Sequence, residues 1–143
     1  MTEVLFYTHV GDRLQTACTL AQKALARQMR VMVFTEDAAA TESFSRLLWS
    51  VPSTGFVPHC RGSDRLAGVT PVIVDHREEP LAHDQVLINL RAGTPAFFSR
   101  FRRLVEIVGL EEADRNAARE RFRFYRDRGY EIKTHQLGAR PES

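Results

Sequence analysis

The sequence is short of cysteine and has no long apolar run, and each shortage excludes a class of protein. Its 143 residues include only two cysteines, Cys18 and Cys60, and neither is flanked by another cysteine or by a pair of histidines. A disulfide framework or a zinc site is therefore not expected. No apolar stretch approaches the ~20 residues that a membrane-spanning helix requires, and the N-terminus lacks the basic start of a signal peptide. We therefore expect a cytoplasmic protein with reduced thiols and no membrane contact.

Sequence signatures of catalysis are also missing. The loop after the first predicted strand, residues 8–12, contains one glycine and places Asp12 where the negative charge of a phosphate would lie. Neither a Gly-Lys-Ser/Thr phosphate loop nor a Gly-x-Ser-x-Gly nucleophile turn occurs. The histidines show no metal-ligand spacing, and they stand at five positions: His9, His59, His76, His83 and His135. We therefore predict no catalytic residue, no metal site and no cofactor, and a nucleotide-using enzyme is the least favoured interpretation.

What the sequence does contain is an ordinary globular balance, with 43% hydrophobic and 27% charged residues. Short apolar runs alternate with segments whose apolar residues repeat every three or four positions, which is typical of strands alternating with helices. Asp37 is placed to cap the second helix and Gly129 to end the last one. The predicted strands cover residues 3–8, 30–35, 72–74, 86–90 and 101–108, and the predicted helices cover residues 12–28, 37–49 and 111–128.

This alternation implies parallel β-α-β units that are joined by right-handed crossovers. We therefore predict an α/β fold, a single-domain Rossmann-like three-layer sandwich with a mostly parallel sheet. The domain is expected to cover residues 1–135, and residues 136–143 are expected to form a flexible C-terminal tail.

One segment that stands out surrounds the only tryptophan of the chain. Trp49 lies at the end of the second predicted helix, next to a proline-bracketed loop that carries Phe56 and Val57. These residues either belong to the core or form a hydrophobic docking patch, since tryptophan anchors contribute strongly to interface energies. The residues alone leave both interpretations open.

A second segment that stands out is the last predicted helix. Residues 100–128 include nine arginines and six acidic residues. Helical spacing brings five side chains close to one face: Arg115, Arg119, Phe122, Arg123 and Arg126. This face is either a solvated charged surface or a surface that holds a carboxylate and buries an apolar side chain. Direct binding of single-stranded nucleic acid is a third interpretation, with Phe122 or Tyr125 stacked on a base.

The chain resembles the chi subunit of bacterial DNA polymerase III over nearly its whole length. The resemblance is carried, in chain order, by Phe6-Tyr7, Leu48-Trp49, Pro52, the Phe-Val-Pro-His run at 56–59, the Val-Leu-Ile-Asn-Leu run at 86–90, the arginine- and phenylalanine-rich run at 118–126, and Gly129-Tyr130. It implies a Rossmann-like fold and a clamp-loader accessory subunit without enzymatic activity. It also implies two partners, the psi subunit and the acidic C-terminal tail of single-stranded DNA-binding protein, with nucleic acid contacted only indirectly.

Carried over by position, the resemblance assigns residues to both contacts. The implied tail-binding residues are Val108, Arg115, Arg119, Phe122 and Arg123. The implied psi-facing residues are Trp49, Phe56, Val57 and Pro58. Arginine stands at positions 115 and 123 where some relatives carry lysine, and phenylalanine stands at 122 where tyrosine occurs. The charges and the ring are therefore kept, whereas a tyrosine hydroxyl contact is missing.

Overall fold

The computed structural model describes residues 1–50, 59–61, 70–78 and 83–137. The strands of this part of the chain are β1 (Glu3–Val10), β2 (Val31–Phe34), β3 (His59–Cys60), β4 (Val72–Asp75), β5 (Val86–Asn89), β6 (Arg103–Gly109) and β7 (Ile132–Gln136). The α-helices are α1 (Arg13–Ala26), α2 (Ala38–Ser50) and α3 (Glu112–Asp127), and a 3-10 turn spans Phe98–Arg100. The five predicted strands and three predicted helices are confirmed, each to within two residues at either end.

The strands form one sheet in the order β3-β4-β2-β5-β6-β1-β7, and every neighbouring pair runs parallel. The predicted α/β class with a parallel sheet is therefore confirmed. The central strands β2, β4 and β5 are buried at all four of their residues. Burial on both faces is what a parallel sheet between two helical layers requires.

The two faces of the sheet carry separate apolar clusters, which gives the predicted three layers. On one face α1 and α2 contribute Ala17, Cys18 and Phe44 to a cluster. On the other face α3 and the 3-10 turn contribute Tyr125 and Phe98. None of the described helices is both long and apolar enough to span a bilayer.

Aspartate side chains begin two of the helices. Asp37 accepts a hydrogen bond from the backbone N–H of Ala40 at 2.8 Å, as the sequence predicted for α2. Asp12 accepts one from the N–H of Gln15 at 3.0 Å and caps α1 in the same way. The acidic residue of the first β-α loop therefore has a structural role at the position where a nucleotide-binding fold would hold a phosphate.

The strands β3 and β7 were not predicted from the sequence. β7 pairs with β1 from Val4 opposite Ile132 to Thr8 opposite Gln136. Gln136, placed in the tail by the sequence analysis, is therefore the last residue of a strand, and residues 138–143 lie outside the described part. β7 carries one apolar residue and is exposed along most of its length, so the alternation that marks a half-buried strand is absent. Three of the implied psi-facing residues, Phe56, Val57 and Pro58, and the Trp49 side chain also lie outside the described part.

Gly129 ends α3 with a positive φ of 83°, and this conformation supports a stability prediction. Gly129→Ala is expected to lower the free energy of unfolding by about 1 kcal/mol, because an L side chain is disfavoured in left-handed backbone. A Cβ at this position would meet no atom within 4 Å, so the effect is conformational alone. Urea denaturation measures it. Gly93→Ala is the matched control, since its Cβ is equally unobstructed without a positive φ, and an equal loss in both variants would contradict the prediction.

Candidate functional site

A groove of about 470 Å³ lies between α3 and the carboxyl ends of β1, β6 and β7. The carboxyl ends of parallel strands are where α/β folds bring side chains from separate segments together. Here β6 supplies Val108, β1 supplies Phe6, and α3 supplies Ala118 and Phe122. The groove therefore combines β1 with β6, α3 and β7, which lie about 100 residues further along the chain.

The floor of the groove is apolar. Val108 is 5% exposed and Phe6 is 2% exposed. The ring of Phe122 meets that of Phe6 edge to face, with 5.4 Å between centroids, a favoured aromatic geometry. Phe122 is only partly buried, so one side of its ring remains available to a ligand. At the mouth of the groove Leu110 is 58% exposed.

The rim of the groove is cationic. Arg115 and Arg119 lie one helical turn apart on α3, and both are exposed. Arg119 donates a hydrogen bond to the Asn116 side chain, and within the described residues neither arginine is ion-paired with a carboxylate. The nearby Asp114 is paired instead with Arg13, at 3.6 Å. An apolar floor beside two guanidinium groups suits a ligand that carries both an apolar group and carboxylates.

The structure brings together four of the five residues assigned to tail binding. Val108, Arg115, Arg119 and Phe122 line the groove. Arg123 is not among the lining residues, and its guanidinium is paired with Glu120 at 3.2 Å. Its part in tail binding stays a prediction.

Other lining residues were not identified from the sequence. They are Phe6, Thr8, His9, Gly109, Leu110, Ala118, Thr134 and Gln136. Two of them lie on β7, the strand that the sequence did not predict. His9 has a positive φ of 59°, a conformation uncommon outside glycine, and no local pattern signals it.

A buried polar network fixes α3 to the sheet beneath the groove. Glu106 on β6 is fully buried, and its carboxylate accepts hydrogen bonds from Arg121 Nε at 2.8 Å and from the Tyr125 hydroxyl at 2.5 Å. Asn89 Nδ2 lies 3.1 Å from both carboxylate oxygens. Burial raises the pKa of Glu106, and the Arg121 cation and the hydrogen bonds partly offset that effect. Burial likewise raises the pKa of the Tyr125 hydroxyl.

This network changes the interpretation of the arginine-rich helix. Arg121 is turned inward to Glu106, and Arg126 is paired with Asp127 at 3.3 Å. Arg128 covers the Phe124 ring, with its guanidinium carbon 3.5 Å from the centroid. Tyr125 is fully buried, so the idea that it stacks on a base is wrong. Few of the arginines on α3 are therefore available to bind phosphate groups.

The described residues hold no candidate metal site, and the Cys18 thiol is not reactive. They contain no group of three histidine, cysteine, aspartate or glutamate side chains that could hold a metal ion. Cys18 is buried in the core beneath α1, and burial raises the pKa of its thiol to about 11. A thiol with that pKa is almost wholly protonated at neutral pH and is a poor nucleophile.

Comparison with known proteins decides the family. Residues 1–133 match the family model described as DNA polymerase III chi subunit, HolC. The chain belongs to the chi subunit family of DNA polymerase III. This chi-family chain is 38% identical over 141 residues to the DNA polymerase III subunit chi of Pseudomonas aeruginosa, across 96% of this chain and 98% of that protein. It is 29% identical over 121 residues to the Escherichia coli K12 protein of the same name, across 84% and 82% of the two chains.

A third relative, DNA polymerase III subunit chi of Haemophilus influenzae, is 26% identical over 125 residues, across 87% of both chains. The resemblance found in the sequence motifs is therefore confirmed at the level of the family. It connects this chi-family chain with DNA replication and with a polymerase assembly.

Proposed function

We propose that this chi-family protein is a non-catalytic, cytoplasmic accessory subunit of the clamp loader of DNA polymerase III. In this proposal it links the clamp loader to single-stranded DNA-binding protein by binding that protein's acidic C-terminal tail, and it also binds the psi subunit. The observation that carries the first contact is the groove beside α3, where an apolar floor and a pair of unpaired arginines lie together.

The groove matches the chemistry of an acidic peptide that ends in phenylalanine. The terminal ring packs beside Phe122 and Val108, and the terminal carboxylate and upstream aspartates pair with Arg115 and Arg119. Arg123, one turn beyond Arg119 and already paired with Glu120, contributes less. The tail's carboxylates therefore meet the two arginines that lack a carboxylate partner.

The exposure of Arg115 and Arg119 indicates how strongly the groove binds the acidic tail. Partly exposed ion pairs contribute only about 0.2–1 kcal/mol each, so micromolar affinity, about −8 kcal/mol, is expected. Salt weakens the attraction because both arginines face solvent. Several tails on one single-stranded DNA-binding protein oligomer raise the overall affinity through effective concentration.

The psi contact is assigned to Trp49, Phe56, Val57 and Pro58, and it rests on the resemblance. Trp49 lies in the last turn of α2, and residues 56–58 directly precede β3. β3 and β7 form opposite edges of the sheet, about 29 Å apart at ordinary strand spacing. We propose on this basis that psi and the acidic tail bind at the same time, since β3 follows the psi-assigned residues in the sequence and β7 lines the groove.

Direct binding of single-stranded nucleic acid by the last helix is the competing proposal. It requires a row of available cations on α3, but Arg121, Arg123 and Arg126 are each paired with a carboxylate. The apolar floor of the groove also has no function in a phosphate contact. The acidic-tail proposal accounts for both features.

Calorimetric titration with a short peptide that ends in Asp-Phe-Pro-Phe tests the proposal. Micromolar binding is expected, and Arg119→Ala is expected to weaken it about fivefold because one ion pair at the rim is lost. A peptide without the final phenylalanine is expected to bind much more weakly, since the floor is left unfilled. Arg100→Ala is the charge-matched control, because Arg100 precedes β6 at the other end of the sheet. Absence of binding by the full peptide at high protein concentration would refute the tail contact.

A further inference from the structure

Exposed arginines also collect at the amino ends of the strands, the end of the sheet opposite to the groove. Arg30 directly precedes β2, and its carbonyl accepts the N–H of Val86 at 3.1 Å. Arg102 directly precedes β6, and its N–H donates to the Asp84 carbonyl at 3.0 Å. The two arginines therefore stand at the starts of strands that flank β5, about 10 Å apart at ordinary strand spacing.

Three further arginines extend this row, which we call the amino-edge surface: Arg27, Arg30, Arg100, Arg102 and Arg128, all exposed. Arg100 ends the 3-10 turn, and Arg128 is held over the Phe124 ring, which itself packs on Phe98 of that turn. Arg27 follows α1 and lines a groove together with Arg103 of β6. The five arginines thus all stand at the amino ends of the strands.

Among the described residues, three arginines of the amino-edge surface have no carboxylate partner. Within the described residues Arg27, Arg100 and Arg102 form no ion pair. Glu3 at the start of β1 is already bonded to Arg103 at 3.2 Å and to Lys133 at 3.0 Å. Two exposed acids of the described part of the chain also lie near this edge, Asp84 and Glu131. Three arginines without an ion pair therefore stand beside two exposed acids in the described part of this edge.

The dipoles of the helices explain only part of this distribution. Arg27 and Arg128 directly follow α1 and α3, where a cation stabilises the last carbonyl groups. Arg100 and Arg102 lead into β6, and strands have only a small dipole. Their side chains are exposed, so packing does not require them either.

We propose that the amino-edge surface binds the phosphodiester backbone of single-stranded nucleic acid. Guanidinium groups bind phosphate oxygens through paired hydrogen bonds and remain charged at every physiological pH. Cations spread along a surface can track the backbone of one strand. Membership in a DNA polymerase subunit family connects the chain with DNA replication, so single-stranded DNA is the strand to test first.

This site is separate from the groove and does not depend on the acidic-tail proposal. The groove lies at the carboxyl ends of the strands, and the seven residues of β6 span about 23 Å between the two ends. A few phosphate contacts give weak, salt-dependent binding. Such a contact becomes effective when another interaction holds the strand nearby at high effective concentration.

Fluorescence anisotropy with a labelled oligothymidylate of about 20 nucleotides tests the proposal at about 50 and 200 mM NaCl. The triple variant Arg27→Gln, Arg100→Gln, Arg102→Gln is expected to bind about tenfold or more weakly at the lower salt. The slope of log K against log salt is expected to fall by about 2, at about 0.7 per neutralised phosphate. The charge-matched control is Arg115→Gln, Arg119→Gln, Arg123→Gln on α3, which is expected to keep the affinity within about twofold, because its arginines lie at the other end of the sheet.

Three results would overturn the proposal. They are the absence of saturable binding by the unaltered protein at the lower salt, an amino-edge variant that binds as tightly as the unaltered protein, and a control variant that loses as much affinity as the amino-edge variant. The double variant Arg100→Gln, Arg102→Gln leaves the end of α1 intact and repeats the test if the triple variant unfolds. Peptide binding by the amino-edge variants reports whether the groove has folded. A loss of nucleic-acid binding is therefore distinguishable from a loss of peptide binding.

Discussion

Replacing Arg121 by methionine is expected to lower the free energy of unfolding by about 3–5 kcal/mol, since the buried Glu106 carboxylate then has no cation as its partner. Glu106 is fully buried, and Arg121 Nε lies 2.8 Å from it. The Tyr125 hydroxyl and Asn89 still donate to the carboxylate in the variant, but neither carries a charge. Urea denaturation at neutral pH measures the loss.

Two further variants test whether burial of the Arg121–Glu106 pair causes the large loss of stability. Arg123→Met removes an exposed partner of Glu120 two residues along the same helix, and it is expected to cost at most about 0.5 kcal/mol. Adding Glu106→Gln to Arg121→Met removes the buried, unpaired negative charge and is expected to restore part of the stability. A similar loss for Arg121→Met and Arg123→Met would show that the buried pair does not hold α3 in place.

The loss in Arg121→Met also depends on pH in a defined direction. Burial raises the pKa of Glu106 in the folded protein, and without Arg121 nothing charged offsets that effect. The folded state then keeps a proton that the unfolded state releases above its ordinary pKa of about 4.3. The free energy of unfolding therefore falls as the pH rises from that value towards the raised pKa. Relative to the unaltered protein, the deficit should be smaller near pH 4 than at about pH 7.

Reversing both charges at the rim of the groove is expected to give the largest functional effect. In Arg115→Glu, Arg119→Glu the attraction of each arginine for a tail carboxylate is replaced by a repulsion of similar size. With about 0.2–1 kcal/mol for each attraction, the total change is about 1–4 kcal/mol, and the peptide is expected to bind about fivefold to several-hundredfold more weakly. Calorimetry with the peptide ending in Asp-Phe-Pro-Phe measures this.

The matched control for the rim is the reversal of two arginines at the opposite end of the sheet. Arg100→Glu, Arg102→Glu changes the net charge equally, but the sites of change lie at the amino ends of the strands. Peptide affinity in this control should stay within about twofold, because at physiological salt charges act over about 8 Å. Equal weakening in both variants would mean that the peptide senses total charge and does not bind in the groove.

The sequence by itself determined five of the seven described strands, all three described helices and four of the twelve residues that line the candidate groove. Four-residue apolar runs such as Val31–Phe34 are buried on both faces only in a parallel sheet between helices, and Asp37 and Gly129 carry local signals for helix ends. The helical spacing of Arg115, Arg119 and Phe122 also placed them on a common face. These properties depend on interactions between residues close in sequence, and local patterns record them.

Only the tertiary structure decided which residues meet across the sheet. β7 has almost no apolar alternation because it is an exposed edge strand, so its place beside β1 depends on pairing over more than 120 residues. The helical spacing left Arg121 off the face that carries Arg119, but it did not show that Arg121 is turned inward to Glu106 while Arg119 is exposed at the groove. That difference arises from a carboxylate on β6 that packing brings under α3. The physical reason is the same in each case: burial and charge pairing depend on the partner that the fold supplies, and that partner lies far away in the sequence.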